Sequence, residues 1–205
     1  LFVTPWFVVR ALTFNARNSA WRGLRFHFSG RMGEAFVIFV LLPLLTALSL
    51  GIAYPWVAKK RREWIVNRHA YGTTHFNFQG DVGEFYKIYL TAFAFVLPLV
   101  LCYMVIIAVM LPATQRGGEP PMIAAAVLPL MLIAFPLAYC GFFYLRVKVF
   151  NYSWQNTTIG AHRFEASMRF WDYFGIQFTN WIVTALTFGL MYPWAMVRMA
   201  DYVTK

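Results

Sequence analysis

The chain contains the stretch Thr46-Ala47-Leu48-Ser49-Leu50-Gly51-Ile52-Ala53-Tyr54-Pro55-Trp56 and repeats it, 138 residues further on, as Thr184-Ala185-Leu186-Thr187-Phe188-Gly189-Leu190-Met191-Tyr192-Pro193-Trp194. Both copies lie inside runs without Asp, Glu, Lys or Arg, at 35–58 and 173–197. A proline that follows an apolar helix bends or ends it, and flanking aromatic rings settle at the headgroup level of a bilayer. The motif therefore predicts the end of an apolar helix at a membrane surface.

A second shared pattern precedes this motif. Phe26-His27-Phe28-Ser29-Gly30 recurs 50 residues later as Phe76-Asn77-Phe78-Gln79-Gly80. Alternation with period two is typical of a short strand, and the glycine that follows permits a tight turn. The third copy, near Phe164, has lost its glycines and second phenylalanine, so its strand is not assured. Acids follow at the helix starts, where we expect them to cap: Glu34, Glu84 and Asp172.

Composition predicts a membrane protein. The chain of 205 residues is 60% hydrophobic and only 13% charged, and a bilayer core of roughly 30 Å needs about 20 helical residues. Four charge-free runs meet that length. We predict an all-α polytopic membrane protein with short aromatic strands, amphipathic interfacial helices and four membrane helices, near 35–54, 87–111, 121–145 and 172–192.

The repeats and the charge-free runs together predict the organisation of the chain. We expect one membrane domain over 1–205, with repeat units at about 5–54, 55–111 and 146–205. Segment 87–145 is expected to form a hairpin of two membrane helices. Because the opening residues look like the tail of an apolar helix, we also expect the natural chain to extend beyond both ends.

The distribution of Lys and Arg predicts which segments of the chain lie on each side of the membrane, but one segment conflicts with the prediction. The sparsely charged link at 112–119 is expected outside, which places the basic segments 55–85 and 146–170 in the cytoplasm. Segment 1–32 is equally basic, yet a membrane-spanning helix at 35–54 would put it outside. Either the first and fourth helices span, as their length favours, or they bend back as re-entrant elements at Pro43 and near Asn180.

Two sets of residues are candidates for membrane contact. Lys59, Lys60, Arg61 and Arg62 begin a helical pattern in which Trp64, Ile65 and Tyr71 can face the membrane while the cations stay in water. The cluster predicts contact with anionic lipid, although a plain topology signal explains it equally well. The second set consists of expected interfacial anchors: Tyr54, Trp56, Tyr192 and Trp194.

The order of these motifs resembles the YjgN family of bacterial inner-membrane proteins. The resemblance rests on Ser49-x-Gly51-x-x-Tyr54-Pro55-Trp56 and its copy at 187–194, in register with the flanking aromatic residues. It implies a multi-helix fold in the bacterial cytoplasmic membrane. The family has no established activity, so the resemblance implies no catalytic residue.

Motifs of catalysis or metal binding are absent from the sequence. The two cysteines, Cys102 and Cys140, fall in apolar runs, and none of the four histidines has the helical partner spacing of a zinc site. There is no phosphate-binding, dinucleotide-binding or nucleophile-elbow motif. We therefore expect no enzyme activity, no cofactor and no metal. The net charge of +10 fits cytoplasmic loops better than nucleic acid.

Polar residues cluster in the fourth apolar run. They are Gln177, Asn180, Thr184 and Thr187. Such groups usually bond a neighbouring helix, and the alternative is a substrate path past distorted helices. We expect a structural or interaction subunit that packs against partner membrane proteins and anionic lipid. The alternative is a transporter or channel for a small or lipidic molecule.

Overall fold

Helices dominate the chain, and six short strands separate them in pairs. The computed structural model describes residues 3–115 and 122–204. The helices are α1 (Thr4–Asn18), α2 (Met32–Phe36), α3 (Leu42–Leu48), α4 (Tyr54–Asn67), α5 (Val82–Gln115), α6 (Met122–Gln155), α7 (Phe170–Leu186) and α8 (Tyr192–Thr204), and a π-helical turn at Val37–Leu41 joins α2 to α3. The strands are β1 (Ala20–Trp21), β2 (Leu24–Phe28), β3 (His69–Tyr71), β4 (Thr74–Phe78), β5 (Thr157–Ile159) and β6 (His162–Arg163).

The strands form one antiparallel sheet in the order β1-β2-β3-β4-β5-β6. Phe26 pairs with Tyr71 across β2 and β3, and Phe76 pairs with Ile159 across β4 and β5. The strands predicted around Phe26 and Phe76 are confirmed as β2 and β4. In the third copy, β6 is only two residues long, in agreement with the loss of its pattern.

Two of the predicted membrane segments belong to long helices. Val82–Pro112 within α5 and Pro129–Gln155 within α6 are long and apolar enough to cross a membrane, and the mean hydropathy of an 18-residue stretch within them reaches 2.8 and 1.7. Gly141 of α6 lies so close to α5 that an added Cβ would come within 2.7 Å of Phe95. The glycine thus permits close packing of the two helices. Residues 116–121, which include 116–119 of the link predicted to be external, lie outside the described residues.

The other two predicted spans are shorter than a bilayer. The helical run Met32–Leu48 and helix α7 each comprise 17 residues, about 25 Å at 1.5 Å per residue, against a bilayer core of roughly 30 Å. Each run then reverses into the next helix. Among the residues that the structure describes, two helices are of spanning length where the sequence predicted four. Two helical hairpins take the place of the others: the first hairpin (32–67) and the second hairpin (170–204).

The repeated Thr-x-x-(Ser/Thr)-x-Gly motif forms the reversal. The Gly51 N–H donates to the Thr46 carbonyl at 2.8 Å, and the Gly189 N–H donates to the Thr184 carbonyl, also at 2.8 Å. These bonds define a Schellman helix end, in which the chain enters the left-handed region. The Ser49 hydroxyl then accepts from the Ala53 N–H at 3.0 Å. The motif therefore encodes a helix stop and the start of the returning helix.

The chain divides into two compact units. The first comprises Leu1–Lys87 and Val149–Ala166, and the second comprises Ile88–Lys148 and Ser167–Lys205. A buried cluster of Val9, Ala35, Ile38 and Trp64 forms the core between α1 and the first hairpin. The sheet and the first hairpin belong to the first unit, and the second hairpin belongs to the second.

Candidate functional site

Glu34 closes the open end of the first hairpin. Its carboxylate accepts hydrogen bonds from the Trp64 indole N–H at 2.8 Å and from the Arg68 guanidinium at 2.5 Å. The indole hydrogen bond, with the Arg68 charge, holds the pKa of Glu34 below its usual range although partial burial opposes the shift. Glu34 lies in the first turn of α2, where an acid was expected, and its carboxylate in addition ties the start of α2 to the end of α4.

This closure brings both legs of the first hairpin to the same end. Segments 1–32 and 55–85, which are equally basic, therefore need not lie on opposite sides of a membrane. The conflict in the charge distribution arises only if 35–54 spans. The chain reverses as the re-entrant alternative requires, but at Leu50–Gly51 and Phe188–Gly189; the expected bends at Pro43 and near Asn180 are wrong, because both residues lie inside helices.

The basic cluster of α4 does not form one solvated face. Lys59 and Lys60 both pair with Glu63, at 2.8 and 3.3 Å. Burial raises the pKa of Glu63, but the two lysines together outweigh it and hold the pKa below its usual value. Arg61 lies over the Phe39 ring at 5.1 Å. The cations are thus engaged with an acid and with aromatic rings.

Two further residues expected at the membrane lie elsewhere. Trp64 is buried, with 8% exposure, and Tyr71 lies in β3. The expected interfacial helix, with Trp64 and Tyr71 facing lipid, is corrected accordingly. The α4 helix presents Trp64 to Glu34 of α2 and to Phe28 of β2, because this apolar position is needed in the core.

Arg62 faces a cavity of about 290 Å³, lined also by Phe26, Phe76 and Trp154. Its guanidinium lies over the Trp154 ring at 5.7 Å, and burial lowers its pKa. The Nε atom is buried and has no hydrogen-bond partner among the described residues. A buried donor left without an acceptor costs roughly 1–3 kcal/mol, which a bound acceptor would recover.

A larger cleft of about 660 Å³ adjoins this cavity. The two share Phe26, Phe76 and Trp154. Phe26, Phe76 and Phe164 stack in a row, with ring centroids 6.3 and 5.9 Å apart and interplanar angles of 19° and 22°. In a flat sheet, residues two strands apart would lie about 10 Å from each other. The sheet therefore curves toward this face, which we call the aromatic cleft, the smaller cavity included.

Arg22 lines the aromatic cleft from the turn between β1 and β2. Its φ is +48°, and its guanidinium stacks on Trp21 at 4.4 Å. The equivalent residues of the other two copies are glycines, Gly72 and Gly160, with φ of +58° and +57°. An L-residue pays for this left-handed conformation where glycine does not. The first copy thus places a strained cation where the other copies have no side chain.

Sequence reasoning did not single out Arg22, although the signal is present in the sequence. The offset of 50 maps Arg22 onto Gly72, and the offset of 88 maps Gly72 onto Gly160. An arginine where two copies have glycine is a departure without a packing explanation. Strained positions of this kind cluster at functional sites.

The hairpin reversals expose large apolar side chains. Leu50 is 92% exposed and Phe188 is 98% exposed, and both have left-handed φ values, of +51° and +49°. Sequence reasoning assigned the anchoring role to the following aromatic residues instead. Of these, Tyr54, Tyr192 and Trp194 are exposed and Trp56 is half-buried. The reversals, rather than the Tyr-Pro-Trp segments, are thus the most exposed apolar points of the hairpins.

Among the polar residues predicted in the fourth apolar run, Asn180 packs α7 against α8. The buried Asn180 donates to the Ala195 carbonyl at 3.2 Å and accepts from Arg198 at 3.1 Å. Gln177, Asn180 and Thr184 line one cavity of about 570 Å³ within the second hairpin, as their shared helix face predicts. Thr187 does not join them, because its hydroxyl accepts from the Met191 N–H in the reversal at 3.3 Å.

Metal ligands do not gather within residues 3–115 and 122–204. No group of three or more His, Cys, Asp or Glu side chains there is placed to hold an ion. The part of the chain that the structure describes therefore offers the aromatic cleft, with its arginines, as the strongest candidate site.

The fold defines a class of mostly helical proteins with two long apolar helices and a curved six-stranded antiparallel sheet. The family model described as "Bacterial protein of unknown function (DUF898)" matches residues 1–205, and the chain belongs to that family. The bacterial origin that the resemblance implied is thereby confirmed. No curated protein and no solved structure matches the chain.

Proposed function

We propose that this protein is embedded in the bacterial cytoplasmic membrane, where it acts as a structural or interaction subunit in contact with partner membrane proteins and anionic lipid. Helices α5 and α6 would cross the bilayer, and the two hairpins would enter it as re-entrant elements. The resemblance to the YjgN family supports the same membrane.

The observation that carries the proposal is the pair of exposed apolar tips. Leu50 and Phe188 each hold a left-handed conformation that costs an L-residue roughly 1–2 kcal/mol, and each is almost fully exposed. A glycine at either position would remove both the strain and the exposed apolar surface. Contact with hydrocarbon gives these side chains a favourable environment.

Charge placement limits how deeply a tip can enter. From Tyr54 to Lys59 the first hairpin has five helical residues before its first cation, about 8 Å at 1.5 Å per residue. Half of a bilayer core is roughly 15 Å. The first hairpin therefore fits within one leaflet, at a depth typical of interfacial elements, about 5–10 Å.

Exposed apolar faces of the long helices support contact with lipid and partner helices. The most apolar part of Val82–Pro112 has no buried residue, so this surface is free to contact a hydrocarbon environment. The transport alternative receives no similar support. Its central residue, Asn180, uses both polar atoms to hold α8.

Nitroxide depth measurements test the proposed insertion. Labels are attached at Leu50→Cys or Phe188→Cys, after replacement of Cys102 and Cys140, in bilayers of phosphatidylcholine and phosphatidylglycerol. We expect both labels about 5–10 Å below the phosphates, with high oxygen accessibility. A label at Thr73→Cys, in the exposed turn between β3 and β4, is the aqueous control. Water-exposed labels at 50 and 188 would contradict insertion, and a label that emerges on the far side would contradict the re-entrant geometry.

A further inference from the structure

We infer that the aromatic cleft binds an anionic amphiphile, specifically a long-chain carboxylate, and that Arg22 and Arg62 recognise its head group. The inference goes beyond the proposed membrane role. It uses residues of the first unit alone and does not depend on whether the hairpin tips enter a bilayer.

The floor of the cleft suits an aliphatic chain. Its two cavities, of about 660 and 290 Å³, share an apolar boundary, and their volumes lie at or near the range of small-molecule sites. The faces of Phe26, Phe76 and Phe164 are turned toward one another in the stacked row. They are therefore not free to stack on a nucleobase, as aromatic platforms for single-stranded nucleic acid do.

The charges of the cleft favour an anion. Arg22 and His162 line the larger cavity and Arg62 lines the smaller, and none of the described lining residues is an acid. A guanidinium matches the planar fork of a carboxylate with two parallel hydrogen bonds. The buried Nε of Arg62 lacks an acceptor among the described residues, and a ligand carboxylate could supply one.

The backbone of Arg22 is an independent observation. In the other copies the hairpin turn forms with a glycine at this position, Gly72 or Gly160, and with that one left-handed residue, whereas the first copy has two, Arg22 and Gly23. The first copy keeps an arginine in a strained conformation at the edge of the cleft, where its guanidinium lies over the Trp21 ring. The structure gives this arginine no packing role that would balance the strain, whereas recognition of an anion would.

The size of the cleft favours a single chain. One cavity of about 660 Å³ is the size of a site for one drug-sized molecule, so we commit to a fatty acid rather than a two-chain phospholipid. The two sources share an anionic head and an acyl chain, and the experiment separates them.

Photo-crosslinking tests the site. The full chain in phosphatidylcholine nanodiscs is irradiated with a 16-carbon fatty acid that carries a diazirine, or with the methyl ester of the same probe, and labelled peptides are mapped by mass spectrometry. We expect the acid to label the peptides around Phe26, Phe76 and Trp154. The ester, which lacks the charge, should label them about tenfold less, the loss typical of a charge-assisted hydrogen bond.

Arg22→Gly is the decisive variant, because glycine is the residue that the other copies have at this position. We expect it to fold with unchanged or higher thermal stability and to lose about tenfold in labelling by the acid. Arg62→Gln should act in the same direction. Arg25→Gln is the matched control: it removes the same charge from β2, but strand alternation places it on the opposite face from Phe26.

Each remaining result has a clear meaning. Equal labelling by acid and ester, or wild-type labelling of a folded Arg22→Gly variant, would overturn the inference. Displacement of the probe by an equimolar amount of phosphatidylglycerol would overturn the assignment of a fatty acid and indicate that the ligand is a bilayer phospholipid. Displacement of the probe by a single-stranded oligonucleotide would overturn the assignment of an amphiphile and indicate that the cleft binds nucleic acid. Failure of both competitors, together with loss of labelling in Arg22→Gly, would support a long-chain carboxylate.

Discussion

Glu34→Gln removes the charge that holds the first hairpin closed. The Trp64 indole donates to a charged acceptor at 2.8 Å, an interaction worth about 1.5–3 kcal/mol. The Arg68 side chain is 40% exposed, so the ion pair adds at most about 1 kcal/mol. Glutamine retains an oxygen that can accept a neutral hydrogen bond of about 0.5–1.5 kcal/mol. The net cost of the change is therefore about 1–2 kcal/mol.

Hydrogen exchange measured by mass spectrometry reports this cost directly. At neutral pH, a loss of 1–2 kcal/mol should make the amides of 32–48 and 54–67 exchange about 5–30 times faster through local opening. Glu84→Gln is the matched control, because Glu84 occupies the same repeat position but pairs with Lys87 on its own helix. That exposed pair joins no two helices, so its loss should leave exchange in the first hairpin unchanged.

The pH dependence gives the reasoning a second test. Because the folded pKa of Glu34 is lowered, its contribution to stability is fully present above the pKa of an unfolded glutamate, about 4.3. The contribution is lost as pH falls through the lower folded pKa. The difference between wild type and Glu34→Gln should thus shrink below about pH 4. Equal exchange at pH 7, or a difference that stays constant down to pH 2, would refute the role of the carboxylate.

Two other predictions concern packing and partners. In Gly30→Ala, the new Cβ would lie 2.5 Å from the Phe28 ring and 2.6 Å from the Trp64 ring, so thermal unfolding should show that the free energy of unfolding falls by about 1–3 kcal/mol. Gly33→Ala is the control: its Cβ would have no atom within 4 Å, so this change should be neutral or stabilise the helix by up to about 1 kcal/mol. Equal effects of the two changes would contradict the packing argument. Extraction of the chain from native membranes in mild detergent should recover stoichiometric partner proteins, and isolation as a lone chain would contradict the subunit role.

Local patterns predicted the parts of the fold that depend on neighbouring residues. The alternation around Phe26 and Phe76 specified two strands, because the period of a strand is visible in five residues. The strands β3 and β5 pair with them but are only three residues long, too short for a period to show. Their position is fixed by pairing with distant residues, which no local pattern records.

Apolar composition could not distinguish a spanning helix from a reversal. The runs that contain Thr46 and Thr184 are long enough to span, and what stops the helices is backbone geometry at Leu50 and Phe188. Glycine usually occupies this left-handed position in a Schellman helix end. Here glycine stands one residue later, at Gly51 and Gly189, so the usual signal is displaced.

The contacts of the basic cluster, Lys59 to Arg62, include residues that are distant in the sequence. The run from Lys59 to Arg62 is visible in the sequence, but the aromatic partner of Arg62 is Trp154, far along the chain in the last turn of α6. The partner of Arg61, Phe39, lies on the other leg of the hairpin. A run of charged residues, taken from the sequence alone, is expected to face solvent, because no neighbouring residue shows which aromatic rings will pack on it.

The closed end of the first hairpin has a consequence for how such an element is built into a bilayer. Every charged side chain from Glu34 to Arg68 lies on the legs, and the stretch between Ala35 and Ala58 has none. If the tip enters the lipid, no cation or carboxylate has to cross the hydrocarbon core, where each would cost at least about 2.5–3.5 kcal/mol. Insertion then requires no loop to be translocated, and the hairpin can enter and withdraw from one side after the chain has left the ribosome.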